Sequence, residues 1–116
     1  MSWNPRKHKY GAKKVVTEDG TFDSKREAKD WGDLKIRQMA GEIVGLVNQH
    51  QNKDQCTFLL HGRDGSTVCK YIVDFVYQEN GRMVAHDSKG MSTPVYSLKR
   101  KLFIAEYGAQ WIHRET

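Results

Sequence analysis

One stretch, Tyr71 to Gly90, limits what this chain can fold into more than any other, because it reads as a β-hairpin that gathers ionisable groups. Tyr71-Ile-Val-Asp-Phe-Val-Tyr77 is a β-branched and aromatic run, the composition of a strand. Asn80-Gly81 is the dipeptide preferred in two-residue hairpin turns, where both positions need positive φ. Arg82 to Asp87 then reads as the returning strand. Asp74 and Asp87 stand about equally far from the turn, so antiparallel pairing brings them together. Lys89 lies two positions beyond Asp87, and alternation directs both to one face. Two carboxylates and an ammonium on one face cost desolvation and repulsion if they serve the fold alone. Around a divalent cation and a phosphate they have a use.

The rest of the chain bounds the reading. Its 116 residues suffice for one domain with one modest core. Hydrophobic residues at 38% and charged residues at 28% suit a folded chain rather than a disordered one. The net charge of +5 favours a polyanionic partner, with nucleic acid ahead of membrane because no basic amphipathic helix stands out. No apolar run approaches the roughly 18 residues of a membrane span, and no signal-peptide core opens the chain. Cys56 and Cys69 lack a CxxC spacing, which points to reduced thiols in a cytoplasm. His50, Cys56, His61 and Cys69 match no common zinc module, and both cysteines lie in strand-like runs where a buried thiol is ordinary.

In chain order, residues 1 to 14 form a basic arm: Arg6, Lys7, Lys9, Lys13 and Lys14, with Trp3 and Tyr10 interleaved. Such an arm can track phosphates, or it can be a solvated tail. Asp19-Gly20 signals a first hairpin. Asp23-Ser24 opens a helix ending near Ala40-Gly41, with Ser24 and Glu27 spaced as a capping box. Ala28, Trp31, Leu34 (or the stem of Lys35) and Met39 would bury one side of it. Glu42 to Val47 reads as the first core strand, Cys56 to Leu60 as a short one, and Val68 to Tyr77 as the strand entering the hairpin. Ser92-Thr93-Pro94 starts a second helix whose apolar stripe is Val95, Leu98, Leu102 and Ala105. Between these fall Lys99, Arg100 and Lys101, which fan out by about 100° per residue, so only some can face one partner. Gln110 to His113 reads as a last strand. The order implies an α/β domain, a mixed central sheet with helices on its faces.

Asp74 followed by Asp87-Ser88-Lys89 resembles the PD-(D/E)XK nuclease superfamily. The chain is most similar to a family of small phage-borne proteins within it. The words that carry the likeness are YGAKK (Tyr10 to Lys14), FDSKREA (Phe22 to Ala28), YIVDF (Tyr71 to Phe75), DSKG (Asp87 to Gly90) and VYSLKRKLF (Val95 to Phe103). Val73 stands where the motif has its proline, a residue that shapes backbone and does no chemistry. The resemblance implies a restriction-endonuclease-like αβββαβ core. It also implies a metal site made of Asp74, Asp87, the Ser88 main-chain carbonyl and, from the first helix, Glu27.

The chemistry expected of that set is phosphodiester hydrolysis. Asp74 and Asp87 would hold Mg²⁺, with Mn²⁺ a ready substitute, and the ion would acidify water and polarise the phosphate. Lys89 would donate to the attacking water or to a phosphoryl oxygen. Glu27 either caps its helix or joins the ion. Lys13, Lys14, Lys99, Arg100 and Lys101 are the candidate DNA contacts. By analogy the substrate is branched or structured DNA, a Holliday junction being the most specific form, and a homodimer would give paired cuts. The contrasting expectation is a DNA-binding protein that keeps a nuclease scaffold without cutting.

Overall fold

A computed structural model describes residues 13–89 and 92–116. The basic arm before Lys13, with Trp3, Arg6, Lys7, Lys9 and Tyr10, lies outside the described residues, as does Gly90. The chain runs β1 (Val15–Thr17), β2 (Gly20–Phe22), α1 (Lys25–Met39), β3 (Val44–Asn48), a 3-10 turn (Asp54–Cys56), β4 (Thr57–His61), β5 (Thr67–Ile72), β6 (Phe75–Glu79), β7 (Arg82–Asp87), α2 (Pro94–Tyr107) and β8 (Trp111–Glu115).

The central sheet has the order β3-β6-β7-β8. The β3–β6 and β6–β7 pairs are antiparallel and β7–β8 is parallel, so the sheet is mixed and the class is α/β. A parallel pair needs a crossover, and α2 supplies it between β7 and β8. β4 and β5 form a separate antiparallel pair, as do β1 and β2. With those two hairpins set aside, the elements read α, β, β, β, α, β. None of the helices among the described residues is long and apolar enough to cross a membrane.

Local chemistry explains the ends of these elements. The Ser24 hydroxyl accepts from the Glu27 amide at 3.1 Å, a cap worth about 1 kcal/mol. Gly41 adopts φ 81° as α1 closes, where a side chain would be strained. Thr93 caps α2 by accepting from the Tyr96 amide, and Pro94 occupies the first turn. Asn80 and Gly81, at φ 53° and 79°, make the tight β6–β7 turn.

Period-two alternation divides the core between the two faces of the sheet. Phe75, Tyr77 and Val84 pack with Phe22, Trp31, Leu34 and Ile43 on the α1 side. Val73, Val76 and Ala85 pack with Phe58, Leu60, Tyr71, Tyr96 and Phe103 on the α2 side.

Three expectations need correction. The run Tyr71 to Tyr77 is two strands: β5 pairs with β4, β6 pairs with β3 and β7, and the chain changes partners at Val73–Asp74. Met39 is 87% exposed, five residues past Leu34, the last buried position of α1. The stripe of α2 is displaced. Tyr96 and Phe103 are buried and Tyr107 packs beside them, while Val95, Leu98 and Ala105 face outward and Leu102 is half-buried. Larger aromatic area outcompetes the aliphatic stripe for the sheet.

Candidate active site

The switch of partners at Val73–Asp74 builds the site. The Val73 amide still donates to the Cys56 carbonyl (2.9 Å), while the Asp74 carbonyl accepts from the Gln49 amide (3.0 Å). Asp74 therefore sits in the fork where the two sheets separate. Phe75 pairs with His86, so the next positions outward are Asp74 and Asp87, facing one another as the hairpin reading expects.

Reciprocal backbone bonds tie the two residues together. The Asp74 amide donates to Asp87 Oδ1 at 3.2 Å, and the Ser88 amide donates to Asp74 Oδ2 at 2.8 Å. Gln49 Nε2 donates to Asp74 Oδ1 at 3.2 Å. Burial, then Asp87, then Glu27 push the Asp74 carboxyl up to about 7, against smaller opposing effects of the Ser88 amide and Lys89.

Asp87 is 1% exposed. Its Oδ2 accepts from the Tyr71 hydroxyl and lies 3.5 Å from His113 Nε2. Tyr71 and His113 are themselves 2.8 Å apart. Since the phenol has one proton and gives it to Asp87, His113 must present Nε2–H to the phenol oxygen. Burial, with Asp87 alongside, pushes the Tyr71 phenol far above its ordinary range, so it stays a neutral donor. Tyr71→Phe is expected to lower stability by about 1–3 kcal/mol, read as a shift of the urea midpoint, because it strips a buried carboxylate of a donor. A midpoint equal to the parent's would show that the phenol does not hold Asp87.

Glu27, 3% exposed, caps its helix and also faces a histidine. Its Oε1 accepts from the Asp23 amide at 3.0 Å, one residue before the cap that the capping-box spacing expects. Its Oε2 lies 3.2 Å from His50 Nε2. Asp23, Glu27 and His50 each offer a ligand atom, all within 4.8 Å of one another. Among the described residues this is the group of three that could converge on an ion; Asp74 and Asp87 are not part of it. Glu27 is also near enough to the hairpin carboxylates to add to the upward push on Asp74, though it bonds to neither of them.

Lys89 lies near enough to the carboxylates to oppose the upward push on Asp74 but makes no direct contact with either. Its Nζ lies 4.7 Å from the centroid of the Tyr96 ring, and it forms no ion pair among the described residues. The Lys89 amide donates to the Thr116 carbonyl, extending the parallel ladder past Asp87. The Ser88 hydroxyl donates to Asp30 Oδ2 at 2.5 Å, which anchors the segment to α1.

The candidate cations are scattered. Lys13 and Lys14 are exposed, and Lys14 pairs with Asp23 at 3.2 Å, beside the histidine cluster. Lys99 is half-buried and shares a cleft with Lys89, whereas Arg100 is not among the residues lining that cleft and Lys101 is exposed. Cys56 is buried and burial pushes its thiol up to about 12, in keeping with an inert packing residue.

Sequence reasoning did not bring Gln49, His50, Asp23, His113, Lys70 or the Tyr71 hydroxyl to this site, although it weighed His50 as a zinc ligand and Asp23 as a helix start. Tyr71 and Asp23 carried a signal, since each shares a word with a predicted ligand, Asp74 and Glu27 respectively, and Lys70 adjoins the first of these words. Gln49, His50 and His113 come from segments distant in the chain, with no spacing that relates them to the carboxylates. The family described as "Protein of unknown function (DUF1064)" matches residues 7–116. No curated protein and no solved structure matches the chain.

Proposed function

We propose that this chain, which belongs to the DUF1064 family, is a Mg²⁺-dependent DNA endonuclease with a restriction-endonuclease-like core. The observation that carries the reading is the juxtaposition of Asp74 and buried Asp87, the Asp74 amide donating to Asp87 at 3.2 Å and the Ser88 amide to Asp74 at 2.8 Å. Burial, then Asp87 and Glu27 as like-charged neighbours, push the Asp74 carboxyl up. Such a surplus of negative charge costs stability unless a cation offsets it. The all-oxygen donor set of Asp74, Asp87, Glu27 and the Ser88 carbonyl suits a hard divalent ion, Mg²⁺ or Mn²⁺. The element order α, β, β, β, α, β supports the same reading. When bound, the ion would acidify a water and offset charge on the phosphoryl oxygens.

The chain's own groups do the rest. Tyr71 and His113 hold Asp87 at a fixed orientation, and the Ser88 amide and Gln49 hold Asp74. Lys89, resting on the Tyr96 ring, supplies the ammonium that would meet a phosphoryl oxygen. Branched or structured DNA is the proposed substrate, a four-way junction its most specific form, and a two-fold dimer would cut both strands.

One set of observations favours the non-cutting scaffold instead. Both oxygens of Asp74 and of Asp87 already accept hydrogen bonds from the protein, and Lys89 points to Tyr96. The deciding experiment incubates the protein with plasmid and with a synthetic four-way junction, in Mg²⁺, Mn²⁺ or EDTA. Metal-dependent cuts are expected, with Lys89→Ala slowed about 10²–10³-fold. Binding without cuts in any metal would assign the protein to the scaffold reading. Anomalous scattering from a Mn²⁺ soak then separates an ion on Asp74 and Asp87 from one on Asp23 and His50.

A further inference from the structure

A cleft of about 270 Å³ lies between β5 and the start of α2, walled by Tyr71 and Tyr96. Three lysines from separate elements line it: Lys70 of β5, Lys89 after β7, and Lys99 of α2. None of the three forms an ion pair among the described residues. Lys70 sits in no basic run, and the cleft alone brings it to the other two.

The surroundings say what this charge is for. Thr93 and Tyr96 also line the cleft, so the positive end of the α2 dipole adds to the ammonium charge. The Tyr96 ring lies under Lys89 Nζ, holding that ammonium at the cleft without neutralising it. The opposite wall, Tyr71, is the residue whose hydroxyl donates to Asp87. The cleft and the carboxylates are therefore two sides of one tyrosine. A group held here shares Tyr71 with the acidic pair, which by itself would repel an anion.

We propose that this cleft binds a phosphate of the nucleic-acid strand next to the one presented to Asp74 and Asp87, with Lys70 and Lys99 as its gripping residues. The occupant rests on the endonuclease reading, but the grip needs no cleavage. Lys70 and Lys99 position the strand and take no part in bond breaking. The phosphate could be an internal phosphodiester or a terminal monophosphate, since both offer the same oxygens.

The test measures binding in EDTA, where cutting cannot interfere. Fluorescent duplex and single-stranded oligonucleotides, with and without a 5′-monophosphate, are titrated with the parent protein, Lys70→Ala, Lys99→Ala and Arg82→Ala. Arg82 is exposed at the far end of β7 and controls for loss of one charge. Each cleft variant is expected to weaken binding several-fold more than Arg82→Ala and to reduce the slope of log K against log salt by roughly 0.7–0.9. Weakening on all oligonucleotides assigns an internal phosphate; weakening confined to the phosphorylated ones assigns a strand end. Affinities and slopes matching those of Arg82→Ala would overturn the proposal, whether or not the parent cuts DNA. If the parent never cuts but both cleft variants lose binding, the cleft stands and the endonuclease reading falls.

Discussion

Asp74→Asn is expected to stabilise the folded protein above pH 7 while removing the proposed cleavage. In the unfolded chain an aspartate titrates near its ordinary 3.8, whereas in the fold burial, Asp87 and Glu27 push Asp74 to about 7. Between about pH 4 and 7 the native state therefore keeps a proton that the unfolded state has released. Stability must fall as pH rises through that window, and the loss is complete above about 7. Asparagine carries no charge to desolvate, and its oxygen can still accept from the Ser88 amide. The gain should be near zero at pH 4 and about 1–3 kcal/mol at pH 8, or about 4–12 °C in Tm. Mg²⁺ should raise the parent's Tm at pH 8 and leave the variant's unmoved, because ion and proton compete for one carboxylate. Cleavage should drop by at least about 10³-fold, since metal affinity and water activation fail together. Equal stability at pH 8 would mean that Asp74 bears no excess charge. Normal cutting would remove it from the mechanism.

Phe103→Ala should be among the most damaging single changes to the fold. The ring is fully buried and packs against Phe58 at 4.7 Å, Tyr107 at 5.3 Å, Tyr71 at 5.6 Å and His113 at 5.8 Å between centroids. Removing it costs about 3–5 kcal/mol, a large part of the roughly 5–15 kcal/mol that stabilises a domain. Leu98→Ala, at a position 59% exposed, should cost less than about 1 kcal/mol. Urea unfolding of the two variants measures which face of α2 meets the sheet. The opposite ranking would turn the helix round to the Val95–Leu98–Leu102–Ala105 stripe. Function should follow packing here. Phe103 backs Tyr71 and His113, the pair that orients Asp87, so the cleavage proposed above should fall in the variant even at temperatures where it remains folded.

Much of the hairpin could be read directly from residues, because its instructions are local. Asn80-Gly81 has only one comfortable conformation at a two-residue turn, and once that turn is set, counting outward makes Asp74 and Asp87 opposite numbers. Ser24, Gly41 and Thr93-Pro94 mark helix ends for similarly local reasons, namely the need to satisfy or bypass terminal amides and carbonyls. Competition between distant surfaces settled the remainder. α2 carries two apolar stripes, and its neighbours on the sheet selected the aromatic one. β3 and β4 each claim part of the Tyr71–Tyr77 run, which breaks it at Asp74 and opens the fork in which the carboxylate sits. Glu27 meets His50, and Lys70 meets Lys89 and Lys99, across separations for which no spacing rule exists. Short-range backbone preferences are written residue by residue, whereas a choice among long-range partners is a comparison of whole buried surfaces, made only when the chain closes on itself.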